Sequence, residues 1–340
     1  MARAFAVQAT DIGAAHLGCA VTRDILSASG EVLVPKGTLL DPTTLDRLSD
    51  AAAAEAHLLE LEACDLHEDD AGRRVARAIT GEGLRIADPT QSRVDLIANQ
   101  KGLLRVNRTL LERINRVLGV TVYTMIDWQP VTPDTPVASV KITPIAIAET
   151  QVETVEQLCR EAGSPLLRVQ PFPPRRVGVL ALDEVGAEMR ARFEAAIERK
   201  LRWYGATLVG LRYAPLDAEA VEKGLRELLD KGADVLLTGG GVTIDPLDPI
   251  ELALAPLGAE MVHMGAPTRG SMFWLARVGD VPIINLASCR MWAGGAVGDL
   301  ILPLVIAGET VTLEMILEIG YGGLPGSAIR LRYPSYEDAD

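Results

Sequence analysis

The sequence predicts a mixed α+β N-terminal domain over residues 1–170, followed over 171–335 by an α/β domain built on a parallel sheet with helices on both faces. Three observations predict it. Strand and helix signals alternate regularly downstream of residue 170, and the strands are continuous apolar runs. The stretch "VQPFPPRRVGVLAL" carries three prolines just before the first of these runs, which marks a linker. The chain has 340 residues, 48% of them hydrophobic and only 4% aromatic, enough for two largely aliphatic cores.

The elements follow in chain order. "GEVLVPKGTLLDPTTLDRL" reads as a strand, a Pro-Lys-Gly turn and a short helix capped at Asp41. "HEDDAGRRVARAITG" is a helix with acidic residues in its first turn, arginines after them and Gly81 as its stop. "DLIANQKGLLRVNRTLLERINRVLG" has helical spacing with a break near Gly102, while "TVYTMIDW", "VASVKITPIAI" and "LLRVQ" read as strands. Beyond the linker, "RVGVLAL" is a strand and "VGAEMRARFEAAIERKLRWYG" a long helix ending at Gly205. "ATLVGLRYA" is the next strand, and "DAEAVEKGLRELLDKG" a helix with Asp217 as N-cap. "ADVLLTGG" is a strand, and "DPIELALAPLG" a helix with Asp248 as cap and Pro249 at its first position. "VPIINLAS" is a last buried strand before the helix of "GGAVGDLILPLVIAG". Such alternation implies right-handed crossovers between parallel strands.

Composition excludes several classes of function. A net charge of −13 disfavours nucleic acid or an anionic membrane surface as partner, because phosphate contacts need a basic face. A small anionic ligand stays compatible, since a helix N-terminus and one or two arginines hold a phosphate even in an acidic protein. No apolar run reaches the ~20 residues of a membrane span, and "MARAFAVQATD" lacks the apolar core of a secretory signal. The cysteines Cys19, Cys64, Cys159 and Cys289 lie far apart, with no CxxC pair. Neither a zinc site nor a disulfide scaffold is expected, and the expected location is cytoplasmic.

The stretch with the most chemistry is "DVLLTGGGVTIDPLDP", at the carboxyl end of a predicted parallel strand, where open α/β sheets place their ligands. Gly239, Gly240 and Gly241 let backbone amides approach an anion with no Cβ in the way. Thr238 and Thr243 offer hydroxyls, and Asp245 and Asp248 offer carboxylates for a hydrated Mg²⁺ or a ring edge. The spacing fits neither the GxxxxGK[ST] phosphate loop nor GxGxxG. A plain turn closed by Asp248 as a helix cap accounts for the same residues equally well.

This stretch resembles the glycine-rich signature of the molybdopterin-binding domain of molybdenum-cofactor biosynthesis proteins. The likeness extends to "EMVHMGAPTRGSM", where that family has a Gly-x-Pro loop, and to "VPIINLASCRMWAGGAVGDLIL", where it has a strand and a second ligand loop. It is similar above all to the molybdopterin-binding portion of molybdenum-cofactor cytidylyltransferase-like proteins, in which a Cys-containing loop follows the strand as Cys289 does here. No nucleotidyltransferase domain is expected within these residues. The resemblance implies a small anionic pterin ligand, molybdopterin or the molybdenum cofactor, with a nucleotide and Mg²⁺ as further candidates, and a homo-oligomer. It implies ligand contacts from Gly265, Pro267 and Ser288, with Arg269 and Arg290 against the pterin phosphate. Either Asp245 or Asp248 is the working carboxylate, and Asp248 the metal ligand.

Two departures bear on activity. The family's Gly-Lys-Pro loop has Ala266 here in place of lysine, and Ala287–Arg290 stands in place of Pro-Gly-Asn-Pro. The implied function is molybdopterin binding in cofactor biosynthesis, with nucleotidyl transfer or metal insertion as its chemistry. The alternative is a non-catalytic carrier or sensor that retains the pocket, and a third reading is a competence-damage-type domain acting on nucleotides.

Overall fold

The computed structural model describes residues 2–90, 92–182, 186–241, 245–268, 271–289, 292, 295–321, 334 and 336. They form two compact units. One holds Met1–Gln100, Leu104–Asp127 and Thr132–Val169, the other Lys101–Leu103, Trp128–Val131 and Gln170–Asp340.

The first unit opens with a small β module in which Arg3–Gln8 pairs antiparallel with Glu55–Glu60 over a core including Val21, Val34, Leu40 and Leu58. The short helix Pro42–Asp46 is capped as the sequence predicts. Asp41 Oδ1 accepts from the Thr44 amide at 2.7 Å, and Thr44 Oγ1 accepts from the Asp41 amide at 2.7 Å. Helix Glu68–Ile79 carries Glu68, Asp69 and Asp70 in its first turn, matching its dipole. Gly81 is not its stop. The helix closes at Thr80, whose hydroxyl donates to the Ala76 carbonyl at 2.6 Å. Gly81 is instead required sterically, because a Cβ there would lie 2.6 Å from Pro165 and 2.7 Å from the Leu167 carbonyl.

The helical reading of "DLIANQKGLLRVN" is corrected. This stretch supplies strands Arg93–Ala98 and Gly102–Val106, and only Arg108–Ile114 is helix. The reason is tertiary. Val94, Leu96 and Ala98 alternate into the core while Arg93–Ala98 pairs with Pro136–Ile142, and that burial outweighs a local helical spacing. "VASVKITPIAI" is likewise two strands, Pro136–Ile142 and Ala146–Ala148.

The second unit is a doubly wound α/β domain. Its elements are β1 (Arg176–Leu182), α1 (Ala187–Tyr204), β2 (Thr207–Ala214), α2 (Ala218–Asp230), β3 (Val235–Gly239) and α3 (Pro249–Leu257). They continue with β4 (Glu260–Met264), β5 (Phe273–Val278), β6 (Val281–Leu286), α4 (Val297–Ala307) and α5 (Leu313–Glu318). The sheet order is β2-β1-β3-β6-β5-β4. The sheet is mostly parallel rather than wholly so. β2, β1, β3 and β6 run parallel, and β5 and β4 add an antiparallel hairpin at one edge.

Strand alternation sends side chains to two cores. Val179, Leu237 and Ile284 pack on one face with Phe193 and Ile197 of α1 and Ile301 and Leu304 of α4. Leu180, Leu236 and Ile283 pack on the other with Val221 and Leu225 of α2 and Ile250 and Leu254 of α3. Burial on both faces explains why these strands read as unbroken apolar runs.

Beneath the first of these faces lies a buried ion pair. Lys200 Nζ of α1 meets Asp299 Oδ1 of α4 at 2.5 Å, and the two are 3% and 1% exposed. Asp299 also accepts from the Tyr336 hydroxyl at 3.0 Å and, through Oδ2, from the Ala296 amide at 3.0 Å. Burial pushes the Lys200 ammonium down, and the Asp299 charge opposes that shift. Asp299→Ala should therefore lower stability by about 3–5 kcal/mol in urea unfolding, because it strands a buried cation. Lys200→Met combined with Asp299→Leu should recover most of that loss, since removing both charges removes their desolvation cost.

Candidate functional site

Three parallel strands of the six-stranded sheet end side by side, and the β4–β5 connection joins them. In register, Ala181 lies beside Gly239 and Gly239 beside Leu286, so β1, β3 and β6 end together. Phe273, the first residue of β5, pairs with Leu286, so the β4–β5 connection, described at 265–268 and 271–272, reaches the same end. Strand order reverses between β1 and β3, because β1 connects outward to β2 while the chain returns across β1 to β3. That switch point is where open α/β sheets leave a crevice.

The glycines hold the first loop close to its neighbours. Gly240 has φ +99, and a Cβ there would lie 3.1 Å from Leu182 Cβ at the end of β1. Its amide donates to the Leu286 carbonyl at 3.1 Å, which pins the loop to β6. Gly241 has φ +84, and the Asp248 carboxylate occupies the space its Cβ would need. Gly239 faces inward toward Cys289 and Trp292.

The carboxylates divide their roles. Asp248 is 5% exposed and caps α3, its Oδ1 accepting from the Ile250 amide at 2.9 Å. Asp245 is exposed, and its Oδ1 accepts from the Leu247 amide at 2.9 Å. Among the described residues no three His, Cys, Asp or Glu side chains are grouped to hold a metal. Mg²⁺ at Asp248 or Asp245 would accordingly depend on oxygens from a phosphorylated ligand.

Thr238 does not present its hydroxyl to the crevice. It is fully buried, its Oγ1 donates to Asn285 Oδ1 at 2.8 Å, and its carbonyl accepts from the Trp292 indole at 3.0 Å. The interior clamp between β3 and β6 is its role. Ser288 is partly buried on the loop after β6, and Cys289 beside it is buried. Thr243, Arg269 and Arg290 lie outside the described residues.

The β4–β5 turn is tied by its own backbone. The Gly265 amide donates to the Phe273 carbonyl at 2.7 Å, and the Ala287 amide to the Met272 carbonyl at 3.2 Å. Gly265 has φ +81. Between this turn and the start of α3 runs a cleft of about 590 Å³, lined on one side by Pro246 and Glu251. The other side includes His263, Met264, Pro267 and Met272. Its size falls within the roughly 300–1,000 Å³ typical of small-molecule sites. The structure thus brings Gly265 and Pro267 to a cleft shared with Glu251, whereas Asp245 and Asp248 are not among its lining residues and Gly239 and Thr238 pack beneath the loop.

Glu251 is the residue that sequence reasoning missed. Its Oε1 is buried yet finds no hydrogen-bond partner among the described residues. Burial raises its pKa, and the Asp248 and Asp245 charges raise it further. Its position, three after an N-cap aspartate, was the only available signal, and that signal points first to capping.

Among solved structures, the chain is similar to the molybdopterin biosynthesis enzyme MoaB of Thermus thermophilus. Identity is 20%, over 40% of this chain and 98% of that one, with a TM-score of 0.28. It is also similar to the tungsten cofactor synthesizing protein MoaB of Pyrococcus furiosus, at 19% identity over 39% and 92%, TM-score 0.29. The molybdopterin biosynthesis Mog protein of Mycobacterium ulcerans gives 17% identity over 39% and 95%, TM-score 0.30. No family model matches the chain, and no curated protein matches it. No helix among the described residues is long and apolar enough to cross a membrane.

Two measurements check this geometry. Gly241→Ala should cost about 1–3 kcal/mol in denaturant unfolding, since it adds backbone strain and displaces Asp248. Gly265→Ala, with nothing within 4 Å of its Cβ, should cost only about 1–2 kcal/mol of backbone strain. The raised pKa of Glu251 also has a sign. Ionised Glu251 destabilises the fold above its folded pKa, and the penalty is relieved as pH falls toward its ordinary 4.5. Glu251→Gln should therefore melt above wild type at pH 8, with the difference shrinking toward pH 5; equal melting at both would show that the carboxyl carries no such penalty.

Proposed function

We propose that this chain binds molybdopterin, or a nucleotide form of it, through the α/β domain over 171–335, and acts in molybdenum-cofactor biosynthesis. The observation that carries this reading is that the Gly240–Gly241 loop, the Gly265–Pro267 turn and the residues after β6 lie at one end of the sheet, with the 590 Å³ cleft opening between that turn and α3. These are the three segments whose sequence resembles the molybdopterin-binding domain. The Gly241 amide and the cations Arg269 and Arg290 take the phosphate, and the carboxylates at Asp245 and Asp248 orient the rest of the ligand. Mg²⁺, when present, neutralises phosphate charge beside Asp245, which keeps an oxygen beyond the one used by Leu247. If group transfer follows, positioning and electrostatics carry it, as in phosphoryl transfer generally.

A non-catalytic carrier is the second reading, and Ala266 favours it. That residue is 5% exposed, and it puts a methyl group where the family it resembles has a lysine. A turn without that cation gives less stabilisation to charge developing on a transferred group.

Calorimetric titration with molybdopterin tests the first reading. Binding should weaken roughly tenfold or more in Arg290→Ala, the loss of a charge-assisted contact. Asp248→Asn keeps a competent helix cap, so a comparable loss there would assign the carboxylate a role beyond capping. Unchanged affinity in both variants would move the site elsewhere. Tight binding with no adenylyl transfer and no molybdate-dependent cofactor formation would select the carrier.

A further inference from the structure

Glu251 stands at the third position of α3, where a glutamate ordinarily reaches back to the amide of the N-cap residue. That amide, on Asp248, already donates to the Asp245 carbonyl at 2.9 Å. The structural task of the side chain is therefore filled by backbone. Its Oε1 is left buried and unpartnered among the described residues, while the residue lines the 590 Å³ cleft. A buried acceptor with no donor is costly, and a ligand that brings a donor to it relieves the cost. The cleft around it is otherwise apolar on its Met264, Pro267, Met272 and Leu317 surfaces, with His263 among them. Such walls suit a flat ring.

The charges also fix the direction of the ligand. Glu251, Asp248 and Asp245 place three carboxyl groups along one short segment, and burial, with repulsion from the other two charges added, raises the Glu251 pKa. An uncompensated phosphate would not sit against the unpartnered Glu251 oxygen. The anionic end must lie away from Glu251, toward Gly241, and the end inside the cleft must donate hydrogen bonds.

Resting on the molybdopterin reading of this site, we propose that Glu251 is its specificity determinant: it accepts from the N–H edge of a 2-amino-4-oxo-pyrimidine ring seated in the cleft. That edge presents a ring N–H and an exocyclic amine side by side, a match for the two oxygens of a carboxyl group. It is shared by pterins and guanine, so the two sources must be separated by experiment.

The test uses the full chain and four probes in calorimetric titration. These are 6-hydroxymethylpterin, the corresponding lumazine with oxygen in place of the 2-amino group, guanosine monophosphate and inosine monophosphate. Wild type should bind the pterin more tightly than the lumazine by roughly 10- to 100-fold. Glu251→Gln and Glu251→Ala should lose that preference, while Glu251→Gln melts no lower than wild type, which separates the loss from misfolding. Discrimination of guanosine from inosine monophosphate, with none between pterin and lumazine, would keep Glu251 as the reader of this edge and overturn the molybdopterin assignment. Equal affinity of wild type and Glu251→Gln for the pterin would overturn the proposal, even if molybdopterin itself binds. A wild-type protein that ignores the 2-amino group in both pairs, or binds none of the four, would overturn it as well.

Discussion

The pairing of Lys200 with Asp299 is the constraint around which the second unit is assembled. A salt bridge this deep contributes little net stability over an apolar pair, because desolvation offsets most of its attraction. Its value is positional. Lys200 sits on α1 and Asp299 in the first turn of α4, and the second carboxylate oxygen holds the Ala296 amide where that helix begins. Lys200 also lies 5.8 Å from the Trp292 ring centroid, and the Trp292 indole reaches the Thr238 carbonyl at the end of β3. One buried charge pair thus locks two helices and the base of the glycine loop in a single arrangement.

The loop architecture follows from that frame. Parallel strands that end in register leave their connecting loops side by side, and here three such loops are joined by a hairpin turn from the antiparallel edge. Hydrogen bonds from Gly240 to Leu286 and from Ala287 to Met272 link neighbouring loops through backbone alone. Side chains in the cleft are thereby not needed to hold these loops together. Glu251 illustrates the result, since backbone performs the capping that its carboxylate would otherwise provide. Unsatisfied polar groups of this kind are uncommon in folded proteins and concentrate where something else completes them.

Much of the second unit was legible in the sequence. Helix ends at Asp217, Asp248 and Gly205 carry local signals, capping oxygens or a left-handed glycine, that act within one turn and owe little to distant residues. The apolar strands were readable because burial on both faces leaves no polar face to confuse the period. The antiparallel β4–β5 pair was not, since strand direction is set by pairing rather than by composition. The stretch at 93–106 misled for a related reason. Its leucines and valines fit a helix by spacing, and only pairing makes them strand, Arg93–Ala98 with Pro136–Ile142 and Gly102–Leu103 with Pro130–Val131.

The sequence by itself determined where the backbone can turn and where a carboxylate can cap, because glycine φ angles and N-cap chemistry are properties of one or two residues. It therefore located the Gly239–Gly241 loop and the Asp248 cap. Tertiary structure alone decided which of those groups face a cleft. It buried Thr238 in a clamp with Asn285, turned Gly239 toward Trp292, and left Glu251 facing the space opposite Gly265–Pro267. Side-chain direction at a loop depends on which strands pair and in what register, and that information is distributed over residues far apart in the chain.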